Sequence, residues 1–315
     1  KHTKNTLSAI FSGTLVTGIL QSSSVVNLTI LSFVGAGMLS MRNALGVVIG
    51  ANVGGTFNSW LVALLGFKMD IREFTFPIIG IAGLGLILFK NKNSGYQISK
   101  LLMGFGFLFL GLDFMKQSMN ASIQNFDFTP YLNYNRIVFV IIGFVVTAII
   151  QTSAATVVIV LSALYTKLIP IETAVAVVLG AELGTTIKVL IGSIGGIAAK
   201  KRVAFGNIVF NVTTSLLGFI FLVPIINLIR DGIGFHDPLL ILVAFQTFIN
   251  IAGVILFYFF LDYFGDFLEK RFADNQQNAT TFIQHTSPEI SDTAIEILEK
   301  EIGLFIYRVI HLNME

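Results

Sequence analysis

Apolar stretches recur along the chain from residue 7 to about residue 261, separated by short polar loops. Those at 43–66, 101–118, 172–196, 204–229 and 239–261 approach or exceed the roughly 20 helical residues that cross a hydrocarbon core. A sixth, 75–89, is shorter. All are continuously apolar, whereas a membrane barrel would show segments of about 10 residues with alternating polarity. Two places break the pattern. Arms of about 14 residues, such as 7–20 and 25–39, flank polar breaks at 21–24 and again at 151–153. At about 1.5 Å per residue an arm reaches about 21 Å, short of a core about 30 Å thick. Each pair of arms is therefore expected to fold back as a re-entrant hairpin. Its tip would lie inside the membrane, where irregular backbone survives only against protein or a water-filled cavity.

Sliding the sequence against itself aligns 13–63 with 143–193 at an offset of 130, with about 15 of 51 pairs identical. The pairs include Gln21 with Gln151, Ser23 with Ser153, Gly50 with Gly180, Gly54 with Gly184 and Thr56 with Thr186. Chance matching of alanines and valines does not pair polar and glycine positions in this way, so the chain holds two copies of one unit. Three crossings (43–66, 75–89 and 101–118) separate the hairpins, and an odd number inverts the second copy. The predicted fold is an all-α integral membrane protein with inverted-topology repeats, each with a re-entrant helical hairpin and an unwound transmembrane helix.

A transmembrane domain is expected over 1–264, with repeat 1 at about 5–89, repeat 2 at about 101–229 and a further helix at 239–261. Helix 101–118 precedes the second hairpin without a counterpart before the first, so repeat 1 reads as N-terminally truncated. Beyond it, 265–315 reads as the start of a helical module. Ser287, Pro288 and Glu289 open a helix on which Ile290, Ala294, Ile297, Ile302, Phe305, Ile306 and Val309 recur at helical spacing.

Composition agrees with a bilayer: 54% of residues are apolar, 12% are charged, and mean hydropathy is +0.82. The net charge is +2, and the basic residues form short juxtamembrane clusters, which excludes nucleic acid as the expected partner. The predicted topology puts 11 Lys and Arg residues on the side of Lys1 and Lys270 against 6 on the side of Lys68 and Arg230. That bias places the first side, and the tail, in the cytoplasm of a cell (inner) membrane protein. There is no cysteine, so chemistry must come from oxygen and nitrogen. His2, His236, His285 and His311 fall in loops or tails, which leaves the membrane serines without a base and argues against an enzyme.

At each polar break the second arm begins with unpaired N–H groups and partial positive charge, a setting for an anion. Gln21, Ser22, Ser23 and Ser24, with Gln151, Thr152 and Ser153, add side-chain donors there. Inverted hairpins bring both tips toward the midplane, where carriers of this architecture hold substrate. The glycines at 50, 54 and 55 and at 180 and 184 predict local unwinding. Freed carbonyls would then join Asn52, Thr56, Glu182, Thr185 and Thr186 around a hard cation such as sodium. Lys188 is the other ionisable residue deep in the membrane, either pairing with Glu182 through the unwound turn or meeting the anion. Asn207 and Asn211, and Gln246 and Asn250, place amides four residues apart, expected to bond between helices and, second, to line a pathway.

These features resemble the type II sodium-phosphate cotransporter family, in particular bacterial members with a cytoplasmic PhoU-like helical domain. The family's duplicated Gln-Ser-Ser-Ser motif, followed by a Gly-Ala-Asn-Ile-Gly-Thr-like segment, is matched by Gln21 to Ser24 and by Gly50 to Thr56. The resemblance implies inorganic phosphate as substrate, sodium as coupling ion, symport by alternating access, and no cofactor. Its partners would be phosphate, sodium and the lipid bilayer, with room for a homo-oligomer. The second copy departs through Thr152, Ala154 and Glu182, which leaves proton coupling open. Carriage of another small anion, such as a dicarboxylate, and a membrane phosphate sensor are the alternatives.

Overall fold

The computed structural model describes residues 6–68, 72–89, 93–125, 130, 134–272, 298–300, 302–304 and 306. The chain divides into two compact units, Lys1–Phe272 and Ala273–Glu315. In the second unit the described residues are helical, and Ile302 and Ile306 are exposed. The rest of the expected tail pattern, 287–297 with Phe305 and Val309, lies outside the described residues.

The first unit is a bundle of helices with no strand among the described residues. In chain order these are α1 (Thr6–Leu20), α2 (Ser23–Gly35), α3 (Met41–Leu61, continued as a π-helix over Val62–Lys68), α4 (Arg72–Leu88) and α5 (Ser94–Asn125). Then follow α6 (Arg136–Ile150), α7 (Ser153–Tyr165), α8 (Ile171–Ser193), α9 (Ala198–Ile220), α10 (Leu222–Asn227, continued as a π-helix over Leu228–Ile233) and α11 (Pro238–Arg271). Among the described residues, five segments are long and apolar enough to cross a bilayer: Met41–Phe67, Ser94–Ala121, Ile171–Ser193, Ala198–Ile220 and Pro238–Arg271. Large apolar side chains such as Leu7, Ile19, Ile87, Ile149 and Phe259 face outward, which suits lipid and not water. The chain is an all-α, multi-pass membrane protein.

Close backbone contact fixes the direction of the short arms. A Cβ at Gly50 would stand 2.0 Å from the Ile10 carbonyl oxygen, and one at Gly54 would stand 2.4 Å from that of Thr14. Contacts that advance together along both helices make α1 and α3 parallel. In the second copy the same relation joins Gly180 to Val140 at 1.9 Å and Gly184 to Phe144 at 2.8 Å, so α6 and α8 are parallel. Since α1 and α3 start at one level, α2 must carry the chain back. The paired arms make no net advance along the bundle.

The two copies also run in opposite directions. Arg42 and Trp60 of α3 reach Asp262 and Thr247 of α11, an antiparallel pair. Gly218 and Gly253 place α9 antiparallel to α11 through Ile249 and Thr214. Ser215 bonds the Leu179 carbonyl, while Ala204 clusters with Val189, so α8 is antiparallel to α9. It follows that α3 and α8 are antiparallel, as inverted repeats require.

One expectation is corrected. The segments 50–56 and 180–186 are not unwound but lie within the continuous helices α3 and α8. The glycines are there for approach: at 50, 54, 180 and 184 the missing side chain is replaced by a neighbouring backbone, a contact of the small-residue kind found between membrane helices. A helical glycine costs only about 1 kcal/mol relative to alanine, which such packing outweighs.

Gly180→Ala should therefore lower stability by about 1–3 kcal/mol through overpacking, with Gly55→Ala, whose Cβ meets nothing within 4 Å, as the neutral control. Thermal unfolding of detergent-purified protein measures both, and equal melting of the two variants would contradict the packing account.

Candidate functional site

Each tip is a helix that stops on a glutamine and restarts two residues later. Gln21 and Gln151 both adopt the left-handed conformation, with φ of 54° and 60°. Their N–H groups close the preceding helix on the Thr17 and Thr147 carbonyls, at 2.8 and 2.7 Å. Side chains other than glycine enter this region at a cost of about 1–2 kcal/mol, and such residues cluster at functional sites. The next residue is extended in both copies, Ser22 at φ −149° and Thr152 at φ −147°. Ser22 caps α2 by accepting from the Val25 N–H at 3.3 Å. Thr152 makes no capping bond, which leaves its hydroxyl and the first turn of α7 open to a ligand.

Lys188 joins the tips. From α8 its ammonium donates to Ser24 Oγ on the first tip and to the Gln151 main-chain oxygen on the second. The expected pairing with Glu182 is not formed, because a regular helix puts the two residues on different faces. Glu182 instead accepts from Gln246 Nε2 of α11 at 2.6 Å, and it is only 8% exposed. Arg42 forms ion pairs with Asp262, Asp266 and Glu269.

The expected cation ligands, on α3 and on α8, present side-chain oxygens instead of freed carbonyls. Thr56, Thr185 and Thr186 donate their hydroxyl protons to the carbonyls of Val53, Glu182 and Leu183 at 2.7–2.8 Å. Their lone pairs are left for a ligand. Asn52 donates from Nδ2 to the Val48 carbonyl at 3.1 Å. The amide pairs are corrected in part. Asn211 bonds Asn207, and Asn250 bonds the Gln246 carbonyl, each within its own helix, while the Gln246 to Glu182 bond alone of these crosses between helices.

Among the described residues, five buried oxygens have no hydrogen-bond partner: Thr17 Oγ1, Gln21 Oε1, Asn27 Oδ1, Asn211 Oδ1 and Gln246 Oε1. Buried acceptors without donors are rare, and oxygen is what a dehydrated alkali cation takes. Three of the five belong to the first hairpin. The cause at Thr17 is legible from the repeat: its counterpart Thr147 bonds Thr156 at 2.7 Å, but the position matching Thr156 in the first copy is Val26. Sequence reasoning passed over Thr17, Thr147, Thr156 and Asn27. The signals were the Thr17–Thr147 identity and a lone amide on an apolar arm. No group of three His, Cys, Asp or Glu side chains that would hold a multivalent metal occurs among the described residues. A cavity of about 370 Å³ borders Gln21, with Asn58 and Lys100 among otherwise apolar walls from α3 and α5.

A family model described as Na+/Pi-cotransporter matches residues 1–117 and 128–235. Among curated proteins the chain is 29% identical over 263 residues to "Uncharacterized protein YqeW" of Bacillus subtilis, covering 81% of each. It is 24% identical over 296 residues to "Putative inorganic phosphate export protein YjbB" of Salmonella typhimurium, covering 91% of this chain and 51% of that protein. The Escherichia coli protein of the same name is 23% identical over 274 residues, covering 85% of this chain and 49% of its own length. The chain thus spans about half the length of these two. No solved structure matches it.

The unequal hairpins make a paired test. Thr156→Val should cost about 1–3 kcal/mol by orphaning Thr147. Val26→Thr, nearly equal in volume, should recover about 0.5–1.5 kcal/mol by giving Thr17 its missing partner. Melting temperatures of the two variants should therefore move in opposite directions.

Proposed function

The chain belongs to the Na+/Pi-cotransporter family, and we propose that it is a secondary carrier which moves inorganic phosphate together with sodium by alternating access. The observation that carries this reading is the meeting of two left-handed glutamine tips at Lys188, each tip followed by a restarted helix. An oxyanion fits between helix N-termini that offer N–H groups and hydroxyls.

Phosphate is held by Gln21, Ser22, Ser23 and Ser24 from one side and by Gln151, Thr152 and Ser153 from the other. Sodium is held by Asn52, Thr56, Glu182, Thr185 and Thr186, with the unpartnered Gln246 oxygen beside Glu182 completing the oxygen set. Asn207 and Asn211 of α9 and Asn250 of α11, all buried, serve as coupling or pathway residues. Bound sodium offsets phosphate charge, so the two ligands support each other's binding. The protein sits in the cell membrane with its C-terminal tail in the cytoplasm, as the positive-inside bias requires.

The YjbB relatives are named for phosphate export. A carrier runs in whichever direction the summed gradients drive it, so export and uptake are the same cycle under different gradients.

Purified protein in liposomes should take up labelled phosphate under an inward sodium gradient and stop when potassium replaces sodium. Gln21→Ala and Gln151→Ala should each lower uptake about tenfold or more, the scale of a lost hydrogen bond to a charged group. Absence of sodium-dependent uptake by the wild type would sink the proposal, and competition by succinate at equal concentration would redirect it to a dicarboxylate.

A further inference from the structure

The ammonium of Lys188 is half-buried in the bundle, and both of its recorded partners are neutral oxygens. One is a serine hydroxyl, Ser24 Oγ. The other is the Gln151 carbonyl, which ends α6 and so carries the negative end of a half-helix. A hydroxyl with a half-helix C-terminal carbonyl is the donor set that interrupted membrane helices offer to sodium. The ammonium thus stands in a seat made for a small cation.

The repeat shows how unusual this is. The position matching Lys188 in the first copy is Asn58, a neutral amide on the wall of the cavity beside Gln21. Three of the unpartnered buried oxygens, on Thr17, Gln21 and Asn27, lie in that same copy. The first hairpin therefore has oxygens open to a cation, while at the second tip a lysine side chain supplies one. Glu182 is engaged by Gln246 and does not neutralise the lysine. A half-buried ammonium with neutral partners favours an anion beside it.

We propose that Lys188 is a tethered cation that fills one coupling-ion seat between the tips, clamps them together when substrate is absent, and pairs with the anion when it arrives. This rests on the reading of the tips as the anion site. The coupling stoichiometry is then one sodium lower than with a neutral residue at 188.

Two measurements test it. In the first, phosphate uptake into proteoliposomes is followed against sodium for wild type, Lys188→Gln and Lys188→Arg. Lys188→Gln should raise the phosphate KM about tenfold or more at low sodium, recover at high sodium, and gain about one in its sodium Hill coefficient as an ion takes the vacated seat. Lys188→Arg should keep the wild-type sodium dependence. An unchanged sodium dependence in Lys188→Gln, or a loss that sodium does not restore, overturns the proposal.

The second measurement does not need transport. The chain has no cysteine, so Ala154→Cys on the second tip gives a single thiol whose maleimide labelling reports tip closure. Adding Lys188→Gln should speed labelling several-fold in potassium, and sodium should slow it again. Equal labelling rates with and without Lys188 overturn the clamp. If wild type moves no phosphate, the carrier reading fails on the first measurement while the second still decides whether a cation seat exists.

Discussion

Inside a bilayer a helix can be interrupted only where protein closes around the break, and in this chain the close approach of α1 to α3 and of α6 to α8 supplies that closure. With a Cβ absent at Gly50, Gly54, Gly180 and Gly184, backbone of α3 meets α1 at Ile10 and Thr14, and backbone of α8 meets α6 at Val140 and Phe144. That contact makes α1 parallel to α3 and α6 parallel to α8, and obliges α2 and α7 to return. The tips at Gln21 and Gln151 are the result. Every chemical feature of the candidate site, from the open first turn of α7 to the reach of Lys188, depends on these tips being held within the bundle.

Inverted repeats bring like elements together from opposite faces, so differences between the copies become differences across one site. Asn52 faces its role as an amide where Glu182 is a carboxylate. Asn58 is neutral where Lys188 is charged, and Val26 leaves Thr17 unbonded where Thr156 satisfies Thr147. The second copy carries its own negative and positive groups, together with a closed Thr–Thr contact. The first carries orphaned oxygens. A site assembled this way has one half set by covalent charge and one half that depends on what binds.

The short arms and their polar breaks were legible because length decides them: about 14 residues do not span a core of about 30 Å, whatever surrounds them. The glycines were not, since the same residue weakens a helix and permits close packing. Which effect wins at Gly50 depends on Ile10, forty residues away, and a local reading has no access to it. Distance explains the other differences as well. Lys188 finds its partners 164 and 37 residues away, and Gln246 meets Glu182 across 64. Spacing along one helix suggested a Glu182–Lys188 pair only if the helix unwound, and it does not. The two groups instead bind different neighbours on different faces.

That separation has a consequence for charge. Glu182 and Lys188 are an acid and a base held apart: the carboxyl lies on the side of Gln246 and α11 while the amine lies between the tips. In the proposed carrier an anion at the tips meets Lys188, and a cation beside Glu182 meets the carboxyl oxygens. Had the two paired directly, each would have satisfied the other and neither ligand would gain from the protein's charge. Holding them apart inside a low-dielectric bundle is costly when the site is empty and favourable when both ligands are present. In the proposed carrier this arrangement links the two binding events, and the helix continuity between Glu182 and Lys188 is what keeps the two groups from pairing with each other.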